Sequence, residues 1–378
     1  MSEFEPETEN ATLKQRVVDR IEREGGIPFR DFMAMALYEP GLGYYTSERV
    51  VLGREGDYLT SPEVSPLFGA MLGRQLREMW ETLGRPPAFD LVEAGAGSGV
   101  LARDVLSWAR RTAPDLFDAA RYTIVELSES LAARQRARLT AEGLAGKARW
   151  QNALPGGVAG CIFSNELLDA MPVHRVAVEG GELREVYVAW DGSRFSEELR
   201  DAPPRVAAYF DALGVRPGEG CRAEVNLDAL AWVQEAARSL EHGFLLTIDY
   251  GYEADELYAP WRTGGTLLCF YRHNPGTDPY SRIGRQDMTS HIDLTSVRRT
   301  GEEAGLTTLG LVSQSQFLAN LGIGEAMQPP EGGALEEYFA RRRAVTELLD
   351  PAGLGRIRVL VQAKGAGAAH LAGLRAEP

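Results

Sequence analysis

The stretch that most narrows what this chain can fold into runs from residue 89 to residue 143. FDLVEAGAGSG (89–99) is a short apolar run that breaks into closely spaced glycines, and VLARDVLSWARR (100–111) carries apolar residues at helical spacing. RYTIVEL (121–127) reads as a second buried strand and SESLAARQRARLTAEG (128–143) as a second helix. Strand, glycine bend, helix and strand in this order mark βαβ units on a parallel sheet, so the expected fold class is α/β. ARWQNA (148–153), GCIFSNELLDA (160–170), FLLTIDYGY (244–252), a segment near 306–313 and RIRVLVQAK (356–364) supply further strand candidates.

Around this core the pattern changes. Residues 1–12 are polar and acidic and read as a tail. Residues 13–88 read as a helical N-terminal region, with helices at 13–23, 31–39 and 61–84 and a loop at 46–63 hinged on Gly53 and Gly56 that could fold over a ligand. The expected core comprises 89–175 and 226–255, with 293–366 completing it. Segments 176–225 and 256–292 are expected as insertions on the substrate side, the first a hairpin turning at Gly180-Gly181, and 367–378 as a second tail. Tyr44, Tyr45, Phe68 and Trp80 read as helix–core packing.

The chain has 40 Lys+Arg against 54 Asp+Glu, a formal charge of −14. That balance disfavours nucleic acid as a partner and favours small molecules or cationic protein segments. No apolar run reaches the roughly 20 residues of a membrane span, so no membrane partner is expected. The start lacks the basic character of a presequence. The three cysteines are dispersed and include no CxxC, which fits a reducing, cytoplasmic setting and speaks against a cysteine metal site.

The glycine bend carries the chemistry. A strand ending at Glu93 followed by Gly95, Gly97 and Gly99 lets bare backbone approach a ligand. The dinucleotide fingerprint GxGxxG would need glycine at Val100, and a carboxylate at Glu93 would repel a pyrophosphate but suits an ammonium group. The ligand indicated is S-adenosyl-L-methionine rather than NAD. Glu126, closing the second strand with Leu127 beside it, can accept both ribose hydroxyls; the alternative is a charge placed at the N-terminus of the next helix. Asn152 is either an adenine contact or a turn residue.

Six blocks in order, YEPGLGYYTS (38–47), GDYLTSPEVSPLFG (56–69), EAGAGSGVLARDVL (93–106), SNELLDAMPVHRV (164–176), IDYGY (248–252) and QDMTSHIDLTSV (286–297), resemble the MidA-like family of class I S-adenosylmethionine-dependent methyltransferases. The resemblance implies a Rossmann-like methyltransferase sheet, S-adenosyl-L-methionine as methyl donor and a protein arginine as acceptor, as in the mitochondrial members that serve complex I assembly. Thr60 and Asn165 join the expected donor-binding set. Beyond the strand ends, Glu166 is the expected substrate-orienting carboxylate and base, with Asp169 assisting, Asp249 completing a clamp and His291 on the substrate side. The alternatives are a helix cap for Glu166, a solvent-facing Asp169, a turn residue at Asp249 and a histidine without chemistry at 291. Two other functions stay open on the sequence: a small-molecule O- or N-methyltransferase, and a non-catalytic assembly chaperone.

Overall fold

The computed structural model of the chain describes residues 9–48, 53, 56–57, 59–328, 335–367 and 369–375. At its centre is a seven-stranded sheet. Its strands, numbered in chain order, are β1 (Phe89–Ala94), β2 (Ala120–Val125), β3 (Ala148–Gln151), β4 (Val158–Asn165), β5 (Leu240–Asp249), β6 (Thr307–Ser313) and β7 (Arg358–Lys364). Across the sheet they lie in the order 3-2-1-4-5-7-6. β1 to β5 are parallel, while β7 is antiparallel to both its neighbours. The winding reverses between β1 and β4, and the crevice beyond the carboxyl ends of those two strands is where such sheets bind ligands.

Both faces of the sheet are covered. Leu91, Tyr122, Phe163 and Leu246 pack with the helices Pro66–Thr82 and Val100–Thr112. Val92, Ile162, Leu245 and Leu360 pack with the helices Leu227–Ser239 and Leu294–Glu303. Burial on both sides explains why these strands read as continuous apolar runs rather than alternating ones.

A second, five-stranded sheet is built from the first insertion together with Ile27–Pro28. His174–Glu179 and Glu182–Trp190 form the hairpin expected at Gly180-Gly181. Ile27–Pro28 pairs with Val188 and Tyr187, so the N-terminal region is not helical throughout; it closes onto the insertion. The loop-rich stretch after β5 carries a small three-stranded sheet of Asn274–Gly276, Leu268–Tyr271 and Asp287–Thr289.

Three local expectations change. The helix expected over 61–84 is broken: Ser61–Val64 ends at Ser65, whose extended backbone (φ −165, ψ 146) and side chain cap a new helix beginning at Pro66. Asn10 is ordered, and its side chain accepts from Leu13 N to start the helix Ala11–Glu24. At the other end Leu371 is buried, and Gly373 N donates to Gln75 Oε1 at 3.1 Å. Among the described residues no helix is long and apolar enough to cross a membrane.

Candidate functional site

β1 delivers the chain to the crevice at Ala94, and three glycines turn it in the left-handed region: Gly95 (φ 68), Gly97 (φ 51) and Gly99 (φ 78). A Cβ on Gly95 would stand 2.8 Å from Leu167 Cδ1, so the bend lies directly against the corner that follows β4. Gln135, fully buried, ties the bend to the next strand end: its amide donates to Gly97 O and to Glu126 Oε2, both at 2.9 Å. Glu126 Oε1 accepts from Ser128 N at 2.9 Å. Leu127 N also bonds this carboxylate, which borders the cavity described next and can accept from a vicinal diol there.

A cavity of about 320 Å³ lies against this bend, lined by Gly95, Gly97, Glu126, Leu127, Asn152 and Glu166 among others, with apolar walls from Leu131, Leu154, Met171 and Trp232. A narrower cavity of about 70 Å³ adjoins Thr60, Glu63, Glu93, Gly97, Asn165 and Glu166. Its walls are acceptor-rich. Glu93 is 2% exposed and accepts from the Tyr122 hydroxyl at 2.5 Å; burial pushes its pKa up to about 7, against the Tyr122 bond and with help from Glu126. Asn165 Oδ1 is buried and has no hydrogen-bond partner among the described residues. An ammonium donor placed there would satisfy it, so the polar end and the diol-binding end together fit an amino-acid nucleoside with a sulfonium between them.

The corner after β4 is unusual. Glu166 has φ 51, a left-handed conformation that a residue with a Cβ adopts at a cost. Its N–H donates to Ile248 O at 2.8 Å, and its Oε1 accepts from Asn165 Nδ2 at 2.9 Å and Ser61 N at 3.3 Å. No helix follows: the chain turns through Leu167–Ala170, so a helix cap at Glu166 is ruled out. Asp249 Oδ2 accepts from Leu167 N at 3.2 Å and Leu168 N at 2.8 Å, and its Oδ1 from Tyr250 N at 2.8 Å. Asp249 is completely buried and spends its lone pairs on backbone. The sequence expectation for this residue is a substrate clamp; in the structure its carboxylate meets the backbone N–H groups of the corner.

A third cavity of about 320 Å³ opens beyond the corner, lined by Tyr45, Asp57, Glu166, Asp169, Asp287 and His291, with Tyr250, Phe270, His273 and Arg356 also on its wall. Glu166 borders all three cavities. Burial pushes its pKa up to about 8; the Asn165 and Ser61 bonds oppose the rise, and Asp249 and Asp287 add to it. Asp169 is raised by burial and then by Asp249, Glu166 and Asp287. His291 is held down at about 4, first by burial and then by Arg356 and Arg262, so it faces the cavity as a neutral imidazole.

The expected residues Glu93, Gly95, Gly97, Glu126, Leu127, Asn152, Asn165, Thr60, Glu166, Asp169 and His291 therefore line three cavities that share Glu166. Gly99 stands apart: it caps the helix Val100–Thr112 and packs on Gln135. Of the expected covering loop, residues 49–52, 54, 55 and 58 lie outside the described residues. Tyr45 packs against the core as expected and also borders both of the larger of these cavities. Neither its hydroxyl bond to Asp287, at 2.7 Å across 242 residues, nor the Gln135 bridge leaves a mark in local sequence.

Comparison with known proteins agrees with this geometry. A family model of S-adenosyl-L-methionine-dependent methyltransferases matches residues 71–312. The chain is 31% identical to the Drosophila melanogaster protein arginine methyltransferase NDUFAF7 homolog, mitochondrial, over 97% of this chain and 88% of that one. It is 29% identical to the human protein arginine methyltransferase NDUFAF7, mitochondrial, over 82% and 73%. A Burkholderia thailandensis protein crystallised with S-adenosyl-homocysteine superposes with a TM-score of 0.88 at 33% identity, covering 96% of this chain and 94% of that one. The sheet order, the glycine bend and these relatives together place the chain in the MidA-like family of class I S-adenosylmethionine-dependent methyltransferases.

Proposed function

We propose that this methyltransferase transfers its methyl group to an arginine of a protein partner, with Glu166 at the point of transfer. The observation that carries the reading is that Glu166 stands where the donor-side and acceptor-side cavities meet, at the rim of a cavity bordered by four carboxylates, Asp57, Glu166, Asp169 and Asp287. Such a wall favours a cationic guanidinium, which carboxylates bind through its planar fork of N–H groups. The Drosophila and human relatives, named as protein arginine methyltransferases, support the same acceptor class.

When bound, S-adenosyl-L-methionine supplies an electrophilic methyl on a sulfonium, so the protein's task is alignment and proton removal. In this reading Glu126 accepts the ribose hydroxyls, Leu127 and Asn152 border the base, and Glu93, Asn165 and Thr60 surround the methionine end. The backbone of Gly95 and Gly97 leaves room for the reacting centre. Glu166 holds the attacking nitrogen in line and, as that nitrogen gains its methyl, accepts its proton and passes it to water. Asp169 shares the guanidinium. Asp249 keeps the Glu166 corner in place through the Leu167 and Leu168 N–H groups. His291, uncharged, gives the cationic acceptor no repulsion.

Transfer of tritium from labelled S-adenosyl-L-methionine into a cell lysate, followed by acid hydrolysis, tests the acceptor class. Label in methylarginines is expected. Label confined to small metabolites would replace the protein acceptor with a small molecule, and no transfer would favour a non-catalytic role.

A further inference from the structure

Asp287 enters the acceptor cavity from the second insertion, on the short strand Asp287–Thr289 that pairs with Leu268–Tyr271. Its two carboxylate oxygens are treated differently. Oδ1 accepts from the Tyr45 hydroxyl at 2.7 Å and from Met288 N at 2.9 Å. Oδ2 has no hydrogen-bond partner among the described residues, although the residue is completely buried. A buried acceptor left unmatched is destabilising, more so when charged, so one on the wall of a cavity marks a place for a donor from a ligand or a water.

We propose that Asp287, aimed by Tyr45, is the specificity-determining seat for the acceptor's cationic head, receiving on Oδ2 an N–H pair member that Glu166 and Asp169 do not reach. The inference rests on the arginine reading and adds a residue and a selection rule to it. Glu166 and Asp169 approach from the β4 corner, and Asp287 from a separate part of the chain. A planar guanidinium presents N–H groups along more than one edge and can meet both sets; a compact ammonium has three donors and no second edge. Tyr45 also borders the donor-side cavity, so the residue that orients Asp287 spans the step between donor and acceptor. Burial pushes the Asp287 pKa up to about 7, opposed by the Tyr45 and Met288 bonds. A cation arriving at the cavity would draw the group into its ionised form.

Calorimetric titration of the full chain, saturated with S-adenosyl-homocysteine, with methylguanidinium, methylammonium and urea at constant ionic strength decides the matter. Wild type is expected to bind methylguanidinium at least about tenfold more tightly than either of the others, and D287N to lose about tenfold or more of that affinity with its S-adenosyl-homocysteine affinity unchanged. Equal binding of methylguanidinium by D287N and wild type would overturn the inference, as would equal binding of methylguanidinium and urea by wild type. If D287N does not fold, the wild-type selectivity and the Y45F variant, expected to weaken methylguanidinium several-fold, carry the decision. A lysate experiment that labels no arginine would overturn the acceptor reading on its own, whatever the titration gives, so the two failures are distinct.

Discussion

Glu166 holds a backbone conformation that side chains disfavour, and its carboxyl keeps its proton to about pH 8. Both costs are tolerated at one residue because its N–H is fixed to Ile248 and its Oε1 to Asn165 and Ser61. Its ionised form must accept the proton, so kcat/KM is expected to rise with pH up to about 8 and level off above it. E166Q is expected to bind donor normally, lose roughly 10²–10⁴-fold in turnover and lose the rising limb; normal turnover would remove Glu166 from the mechanism. Gly97 sits at φ 51 on the wall of both donor-side cavities. G97V puts a β-branched side chain where the backbone must be bare, and calorimetry should show donor binding abolished.

Two element ends make the site, the bend after β1 and the corner after β4, which the winding of the sheet brings side by side. The bend was legible because its signal is local: an apolar strand, three glycines and a helix within two dozen residues. The corner was half legible. Glu166 stood out as a carboxylate closing a strand, but the part played by Asp249 depends on backbone N–H groups more than eighty residues away, and nothing near Asp249 announces them. The bond between Tyr45 and Asp287 escaped for the same reason, whereas the helix break at Ser65 was written in Ser65-Pro66 and was overridden by the helical periodicity around it. D249A removes the acceptor for three N–H groups and is expected to lower stability by about 2 kcal/mol or more in urea unfolding. It should also cut turnover while leaving donor affinity within a few-fold, since Asp249 borders none of the three cavities.

At the scale of the molecule, buried carboxyls gather beyond the carboxyl ends of the inner strands, with Asp287 brought there by the second insertion. Burial lifts Glu93, Asp249 and Asp287 to about 7 and Glu166 to about 8, from ordinary values of 4.5 for Glu and 3.8 for Asp. Between those limits the folded chain holds more protons than the unfolded one, so this cluster's contribution to stability is complete below about pH 4 and fades as pH rises through 7 to 8. The melting temperature of the ligand-free chain should therefore fall less between pH 5.5 and 8.5 in E166Q than in wild type; an equal fall would mean that Glu166 is not protonated in the folded state. The α/β class, the strand alternation and the glycine bend followed from patterns within the core segment. The pairing of Ile27–Pro28 with the first insertion did not, because two residues paired with Val188 and Tyr187, far along the chain, carry no periodic signal. The most direct measurement is a crystal structure of the chain with S-adenosyl-homocysteine. The ribose is expected on Glu126 and the sulfur between Gly97 and Glu166, facing the cavity of Asp169 and Asp287; a nucleoside seated elsewhere, or a sulfur turned away from Glu166, would contradict the account.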